Sequence, residues 1–231
     1  MVTSLIKYLT FDCYGTLIDW KEGIETNFRV CFLKGSGDLP VKTGQSIFER
    51  YVALEAQEES ITTGYKSYKE VLKRTSMRLA KSLDFPDSEE SGKRFSDSIT
   101  GWHAFPDTAP TLRKLGQLGF KRTILSNIDR DLLQETIRRN NLEVDDFITA
   151  QDVRSYKPSK GHWIEFFRRT GAKKEELVHV ANSVYHDIIP AIELGIPTVW
   201  VNRYEDEPPT RVKPDFTVSD ISGLPEVVQR A

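Results

Sequence analysis

Tyr8-Leu9-Thr10-Phe11-Asp12-Cys13-Tyr14-Gly15-Thr16-Leu17-Ile18-Asp19-Trp20 is the stretch around which the rest of the chain is organised. A short apolar run, Leu9 and Phe11, leads into an acidic residue, and Gly15 follows three positions later, the pattern of a buried strand ending in a sharp loop. In an open parallel α/β sheet, ligands bind at the carboxyl ends of the strands, so Asp12 stands where a site residue would stand. Asp shortly before Gly is also ordinary turn chemistry. This segment alone leaves both readings open.

Beyond it, residues from about 21 to 104 are polar and helix-rich. Ser46-Ile47-Phe48-Glu49-Arg50-Tyr51-Val52-Ala53-Leu54-Glu55 and Tyr68-Lys69-Glu70-Val71-Leu72-Lys73-Arg74 place apolar residues three and four apart, the spacing of one helix face. Breaks at Gly35–Pro40 and Asp84–Ser88 divide the block into three or four helices. Trp102-His103-Ala104-Phe105-Pro106 ends it, because the residue before a proline avoids the helical region. The block reads as an insert at 21–104, and residues 1–20 with 105–231 read as the core.

From Asp107 onward helices and strands alternate. Pro110–Leu118 with Gly119 reads as a capped helix and Phe120–Leu125 as a strand ending at Ser126-Asn127. Asp131 opens a helix to about Arg139, Phe147–Ala150 is a short strand, and Ser159 caps a helix through Arg169 that Gly171 closes. Val178–Ala181 and Pro197–Val201 are further strands, separated by a helix from about Asp187 to Leu194. Phe216–Val218 and a helix over Leu224–Gln229 complete the pattern. Such alternation implies an α/β fold, with right-handed crossovers and a parallel sheet covered on both faces.

Each strand delivers polar groups at its end. The first ends at Asp12 and the second at Ser126-Asn127. The third leads to Tyr156-Lys157-Pro158, and the fourth ends at Asn182-Ser183 with Asp187 beyond. In a parallel sheet these ends share one edge, so a carboxylate, a hydroxyl, an amide and an ammonium converge there. Turn chemistry accounts for one such residue, not four.

Composition narrows the class. The 231 residues carry 32 basic and 34 acidic side chains, a net charge of −2, which gives no electrostatic reason to expect a nucleic-acid or membrane partner. A small molecule is the expected ligand. Two cysteines, Cys13 and Cys31, form neither a disulfide framework nor a zinc spacing, as in a cytoplasmic protein. Lys7 and Asp12 interrupt the N-terminal apolar run, so no secretory signal is expected, and no stretch approaches the ~18 apolar residues of a membrane span.

Asp12-x-Tyr14-Gly15-Thr16-Leu17, Ser126-Asn127, Lys157-Pro158 and Val180-Ala181-Asn182-Ser183 with Asp187 resemble motifs one to four of the haloacid dehalogenase superfamily. That resemblance implies a Rossmann-like core, a helical cap at 21–104, and an aspartate nucleophile that forms a covalent ester. Two departures bear on the branch. Where phosphatases of the superfamily carry a general-acid aspartate two positions after the nucleophile, this chain has Tyr14. Where their fourth motif begins Gly-Asp, with the aspartate holding Mg²⁺, this chain has Ala181-Asn182, and an amide is a poorer ligand for a hard cation than a carboxylate. The pattern is similar to the (S)-2-haloacid dehalogenase branch, which uses no metal and expels a halide that needs no proton.

The resemblance assigns roles. Asp12 attacks carbon, Lys157 keeps it ionised, and Thr16, Ser126 and Asn127 orient it or the substrate carboxylate. Backbone amides of Cys13–Gly15 are candidate oxyanion donors, and Asp187, with Asn182 or Ser183, positions or deprotonates water. Asp187 also stands where a helix should begin, so it can serve as an N-cap alongside a catalytic role. Arg50 is the best match to the branch's halide-gripping cap arginine, with Arg29 second. Trp163 replaces a tyrosine of the branch and Ala181 a serine; Tyr14, Trp20, Tyr185 and His186 are candidate pocket residues. The expected reaction is conversion of an (S)-2-haloacid to an (R)-2-hydroxyacid without a cofactor, and a homodimer is the family-based expectation. Alternatives are a Mg²⁺-dependent phosphatase, a hydrolase of another 2-substituted carboxylate such as a strained cyclic amino acid, and a non-catalytic small-acid binder.

Overall fold

The computed structural model describes residues 6–33, 46–60, 65–208, 210 and 212–229. Strand β1 (Tyr8–Phe11) is followed by a turn, then by four helices: α1 (Trp20–Phe32), α2 (Ile47–Ser60), α3 (Tyr68–Ser82) and α4 (Glu89–Ser98). Short polar side chains fix their starts by accepting from first-turn N–H groups. Asp19 Oδ1 accepts from Glu22 N at 3.0 Å and Ser88 Oγ from Ser91 N at 3.1 Å. The break expected at Asp84–Ser88 separates α3 from α4; the one at Gly35–Pro40 lies outside the described residues.

The chain then alternates through α5 (Thr108–Gln117), β2 (Lys121–Ser126), α6 (Arg130–Arg139), β3 (Asp146–Thr149), α7 (Ala150–Val153), α8 (Gly161–Thr170) and β4 (Leu177–Ala181). It ends with α9 (Ile189–Glu193), β5 (Thr198–Val201), β6 (Phe216–Val218) and α10 (Leu224–Val228). The six strands form one parallel sheet in the order β3-β2-β1-β4-β5-β6. Leu9 and Phe11 of β1 are fully buried, as expected of a strand covered on both faces. Successive strands run outward from β1 on one side and resume on its other side with β4. The carboxyl ends of β1 and β4 therefore flank the crevice where the winding reverses, the ligand site of such sheets. No described helix is long and apolar enough to cross a membrane.

Two local readings change. Ser159 does not cap α8: its N–H is held in a turn by the Tyr156 carbonyl at 3.0 Å, and the helix starts two residues later with no side-chain cap. Asp187 does not open a helix either, because Val184–Ile188 form a π-helical turn whose cap is Ser183, accepting from His186 N at 3.1 Å. That releases the Asp187 carboxylate for other partners.

Asp129, at the start of α6, also serves another helix. Its carboxylate accepts from Tyr68 N at 3.1 Å, Lys69 N at 2.9 Å and the Tyr65 hydroxyl at 2.7 Å, capping α3 across the boundary between the helical block and the sheet. Asp129 is only 3% exposed. Asp129→Ala would strand three donors, that of Tyr68 buried and the others half-buried, and is expected to cost about 2 kcal/mol, read as a lowered urea midpoint with an unchanged denaturant slope.

Candidate active site

Asp12 lies one residue past β1, and its N–H donates to the Val180 carbonyl of β4 at 3.1 Å. The turn that follows needs Gly15, whose φ of +92° suits no side chain well, and it brings Thr16 back beneath the carboxylate. Thr16 Oγ1 donates to Asp12 Oδ2 at 2.8 Å and accepts from Asn182 N at 2.9 Å, tying the ends of β1 and β4 together.

Lys157 enters from the loop between α7 and α8, 1% exposed. Asn127 clamps its backbone from the end of β2: Lys157 N donates to Asn127 Oδ1 at 2.6 Å, and Asn127 Nδ2 donates to the Lys157 carbonyl at 3.1 Å. Its ammonium donates to Asp12 Oδ1 at 2.8 Å, to Asp187 Oδ1 at 2.6 Å and to the Leu125 carbonyl at 2.9 Å. All three ammonium protons are thereby used.

Asp187 Oδ1 also receives His179 Nε2 at 3.0 Å, and His179 Nδ1 faces Thr10 Oγ1 at 2.9 Å. A carboxylate only accepts, so Nε2 carries the proton in the bond to Asp187. The Trp163 ring packs edge-on against His179 at 5.2 Å. Asp187 Oδ2 is buried and has no hydrogen-bond partner among the described residues.

Charges follow from these contacts. Burial weighs against the Lys157 ammonium, but Asp12 and Asp187 outweigh it and hold its pKa above the usual lysine value. Burial raises the Asp187 carboxyl too, yet Lys157 and His179 win and bring it down to about 2. At Asp12 burial prevails, with Asp187 adding to it, and the carboxyl rises above its usual value against the pull of Lys157 and Thr16. The two carboxyls thus move in opposite directions beside one cation, with His179 acting on Asp187 alone.

These groups open on a cavity of about 620 Å³. Asp12, Tyr14, Ser126, Asn127, Lys157 and Asp187 line its floor, and Asn182, Ser183, Tyr185 and His186 one side. Tyr14 presents its ring, since its hydroxyl is bonded to Thr136 Oγ1 at 2.7 Å. Asn182 Nδ2 donates to the Val201 carbonyl at 2.9 Å. His186, pushed down to about 4 mainly by burial, is neutral at pH 7. Helix α2 closes the other side with Phe48, Val52, Glu55, Ala56 and Glu59. Arg50 lies two positions from Phe48 and from Val52, about 200° around the helix from each, and neither it nor Arg29 is among the cavity-lining residues. The expected cap arginine is not brought to Asp12 at either position.

Sequence reasoning missed His179, Glu55 and Glu59. A histidine inside the apolar run Val178–Ala181, and carboxylates continuing the face of α2 begun by Phe48 and Val52, were the available signals. The residues also bear on a metal. The candidate oxygen donors are Asp12, Asp187 and the amides of Asn127 and Asn182, and both carboxylates share the Lys157 ammonium. Two carboxylates are within what Mg²⁺ takes from protein, but here each already accepts from the Lys157 ammonium.

A family model described as haloacid dehalogenase-like hydrolase matches residues 6–195. The chain belongs to that family. Its curated relatives include an (S)-2-haloacid dehalogenase of Pseudomonas putida, 26% identical over 200 residues and covering 86% of this chain and 85% of the relative. A glyceraldehyde 3-phosphate phosphatase of Methanopyrus kandleri is 31% identical over 134 residues, about half of each protein at 54% and 56%. The L-2-haloacid dehalogenase of Xanthobacter autotrophicus, solved with chloropropionic acid covalently bound, superposes with a TM-score of 0.82 at 20% identity, over 97% of this chain and 98% of that one. At that identity the likeness concerns the fold of this haloacid dehalogenase-like hydrolase.

Burial raises Glu55 to about 7 against the hydroxyls of Tyr68 and Tyr51. Between the ordinary glutamate value of 4.5 and that value the native state holds a proton that the unfolded chain has lost, so stability falls as pH rises through this window. Glu55→Gln is expected to remove that slope and to stabilise the protein at pH 8 by up to about 3 kcal/mol, measured as urea stability at pH 5 and pH 8.

Proposed function

We propose that this hydrolase displaces halide from carbon 2 of a short 2-haloalkanoic acid through an ester on Asp12, without a metal. The observation that supports it most is the Lys157 ammonium held 2.8 Å from Asp12 and 2.6 Å from Asp187, with a tyrosine at 14 and an amide at 182 where a phosphatase needs acids.

An ammonium at this distance favours the carboxylate form of Asp12. A carboxylate oxygen attacks carbon 2 from the side opposite the halogen, the new C–O bond forms, and the C–halogen bond breaks with its electron pair leaving as halide. Configuration inverts, so an (S)-2-haloacid gives an (R)-2-hydroxyacid. Water then attacks the Asp12 carbonyl carbon. Gly15 N–H is committed to the Ile18 carbonyl at 2.8 Å, which leaves Cys13 and Tyr14 as the candidate amide donors to the developing oxyanion. Asp187 offers Oδ2 to the attacking water; at a pKa of about 2 it orients the water more than it stores a proton. As the ester C–O bond breaks, one proton of the water ends on the product hydroxyl, the other is released, and Asp12 is restored. Ser126 and Ser183 are the hydroxyls placed to hold the substrate carboxylate.

The test is chloride release from (S)-2-chloropropionate in excess EDTA. Turnover with the chelator present is expected, and a loss of at least 10³-fold in Asp12→Asn. Absence of chloride release, or turnover of a generic phosphate ester that the chelator abolishes, would replace this reading by the phosphatase one.

A further inference from the structure

Strand β4 runs between β1 and β5, and all five of its residues are buried. Four are apolar. The fifth, His179, is fully buried, paired in register with Thr10 of β1 and Thr198 of β5. A buried imidazole loses water at both ring nitrogens and needs a partner at each. An aliphatic side chain would fill this position at lower cost, so the histidine needs a reason.

Its partners supply one. Nδ1 lies 2.9 Å from Thr10 Oγ1, Nε2 donates to Asp187 Oδ1 at 3.0 Å, and the Trp163 ring packs edge-on at 5.2 Å. The Lys157 ammonium donates to the same Asp187 oxygen at 2.6 Å. The two donors reach Oδ1 from different elements, β4 and the loop between α7 and α8. The terminal torsion of an aspartate is soft and nearly two-fold, so a carboxylate held by an ammonium alone can exchange its oxygens. A second donor, on a ring anchored inside the sheet, fixes the carboxylate plane. What remains is Oδ2, buried and with no hydrogen-bond partner among the described residues, on a side chain that lines the cavity with Asp12. His179 is not among the lining residues, so whatever it does for the reaction it does through Asp187.

We propose that His179 is a positioning residue for the second half of the reaction, pinning Asp187 Oδ1 so that Oδ2 is the oxygen presented to the water that attacks the Asp12 ester. This rests on the displacement reading above and deepens it by separating the two steps. Displacement of halide needs Asp12 as a carboxylate beside Lys157, and the two hydrogen bonds of His179 go to neither. Ester hydrolysis needs water placed against the Asp12 carbonyl carbon, and a turned Asp187 slows that step without touching the first.

Rapid-quench kinetics with (S)-2-chloropropionate and enzyme in excess resolves the steps: chloride release reads displacement, and decay of the ester mass on the Asp12 peptide reads hydrolysis. In His179→Leu, ester decay is expected to slow at least ~10-fold while chloride release stays within ~3-fold of wild type, so that the ester accumulates. His179→Gln, whose amide nitrogen stands near the Nε2 position, is expected to restore ester decay to within ~3-fold of wild type. Should His179→Leu fail to fold, His179→Asn replaces it, because the shorter amide reaches towards Thr10 and stops short of Asp187. A fall in chloride release as large as the fall in ester decay, no change in either rate, or the same ester decay in His179→Gln as in the Leu or Asn variant overturns the proposal and leaves His179 a core residue. Absence of chloride release from the wild type would remove the displacement reading, and this assignment with it.

Discussion

The Lys157 ammonium is the contact on which the rest of the site depends. A lysine head group 1% exposed is costly unless every proton finds an acceptor, and here two carboxylates and a carbonyl take all three. Removing the ammonium would leave two buried carboxylates uncompensated, a change worth roughly 3–5 kcal/mol in comparable pairs. The architecture around it holds the partners at that spacing. The winding of the sheet reverses beside β1, so Asp12, Asp187 and the loop bearing Lys157 meet at one edge. Thr16 ties β1 to β4, Asn127 fixes the Lys157 backbone, and His179 holds Asp187 from inside the sheet.

The floor and the helical wall of the cavity differ in how their charge is compensated. On the floor, Asp12 and Asp187 both accept from Lys157; Lys157 and His179 keep Asp187 acidic, while burial raises Asp12. On the α2 side, Glu55 receives a neutral phenol and rises to about 7. Asp129, capping α3 from the core side, fixes how the helical block meets the sheet and so where that wall stands.

Much of this was legible in the chain itself. The alternation of helix and strand after Asp107 is strong because parallel strands are buried on both faces and helices close on glycine, as Gly171 does at φ 65°. Asp12, Lys157 and Asp187 were legible because strand ends of one sheet must share an edge. What the sequence hid were contacts that skip this logic. Asp187 looks like an N-cap until a π-helical turn capped by Ser183 frees its carboxylate. His179 sits among apolar residues, and its partners lie on β1 and beyond β4. Arg50 matches an expected position in the chain but not around the helix, where two residues of offset turn a side chain to the opposite face.

Hydrolysis in H₂¹⁸O measures the central claim most directly. In a single turnover with enzyme in excess over (S)-2-chloropropionate and EDTA present, digestion and mass spectrometry are expected to find one ¹⁸O in the peptide containing Asp12 and none in the released 2-hydroxyacid. Label in the product with Asp12 unlabelled would mean that water attacks carbon 2 directly, and would contradict the account.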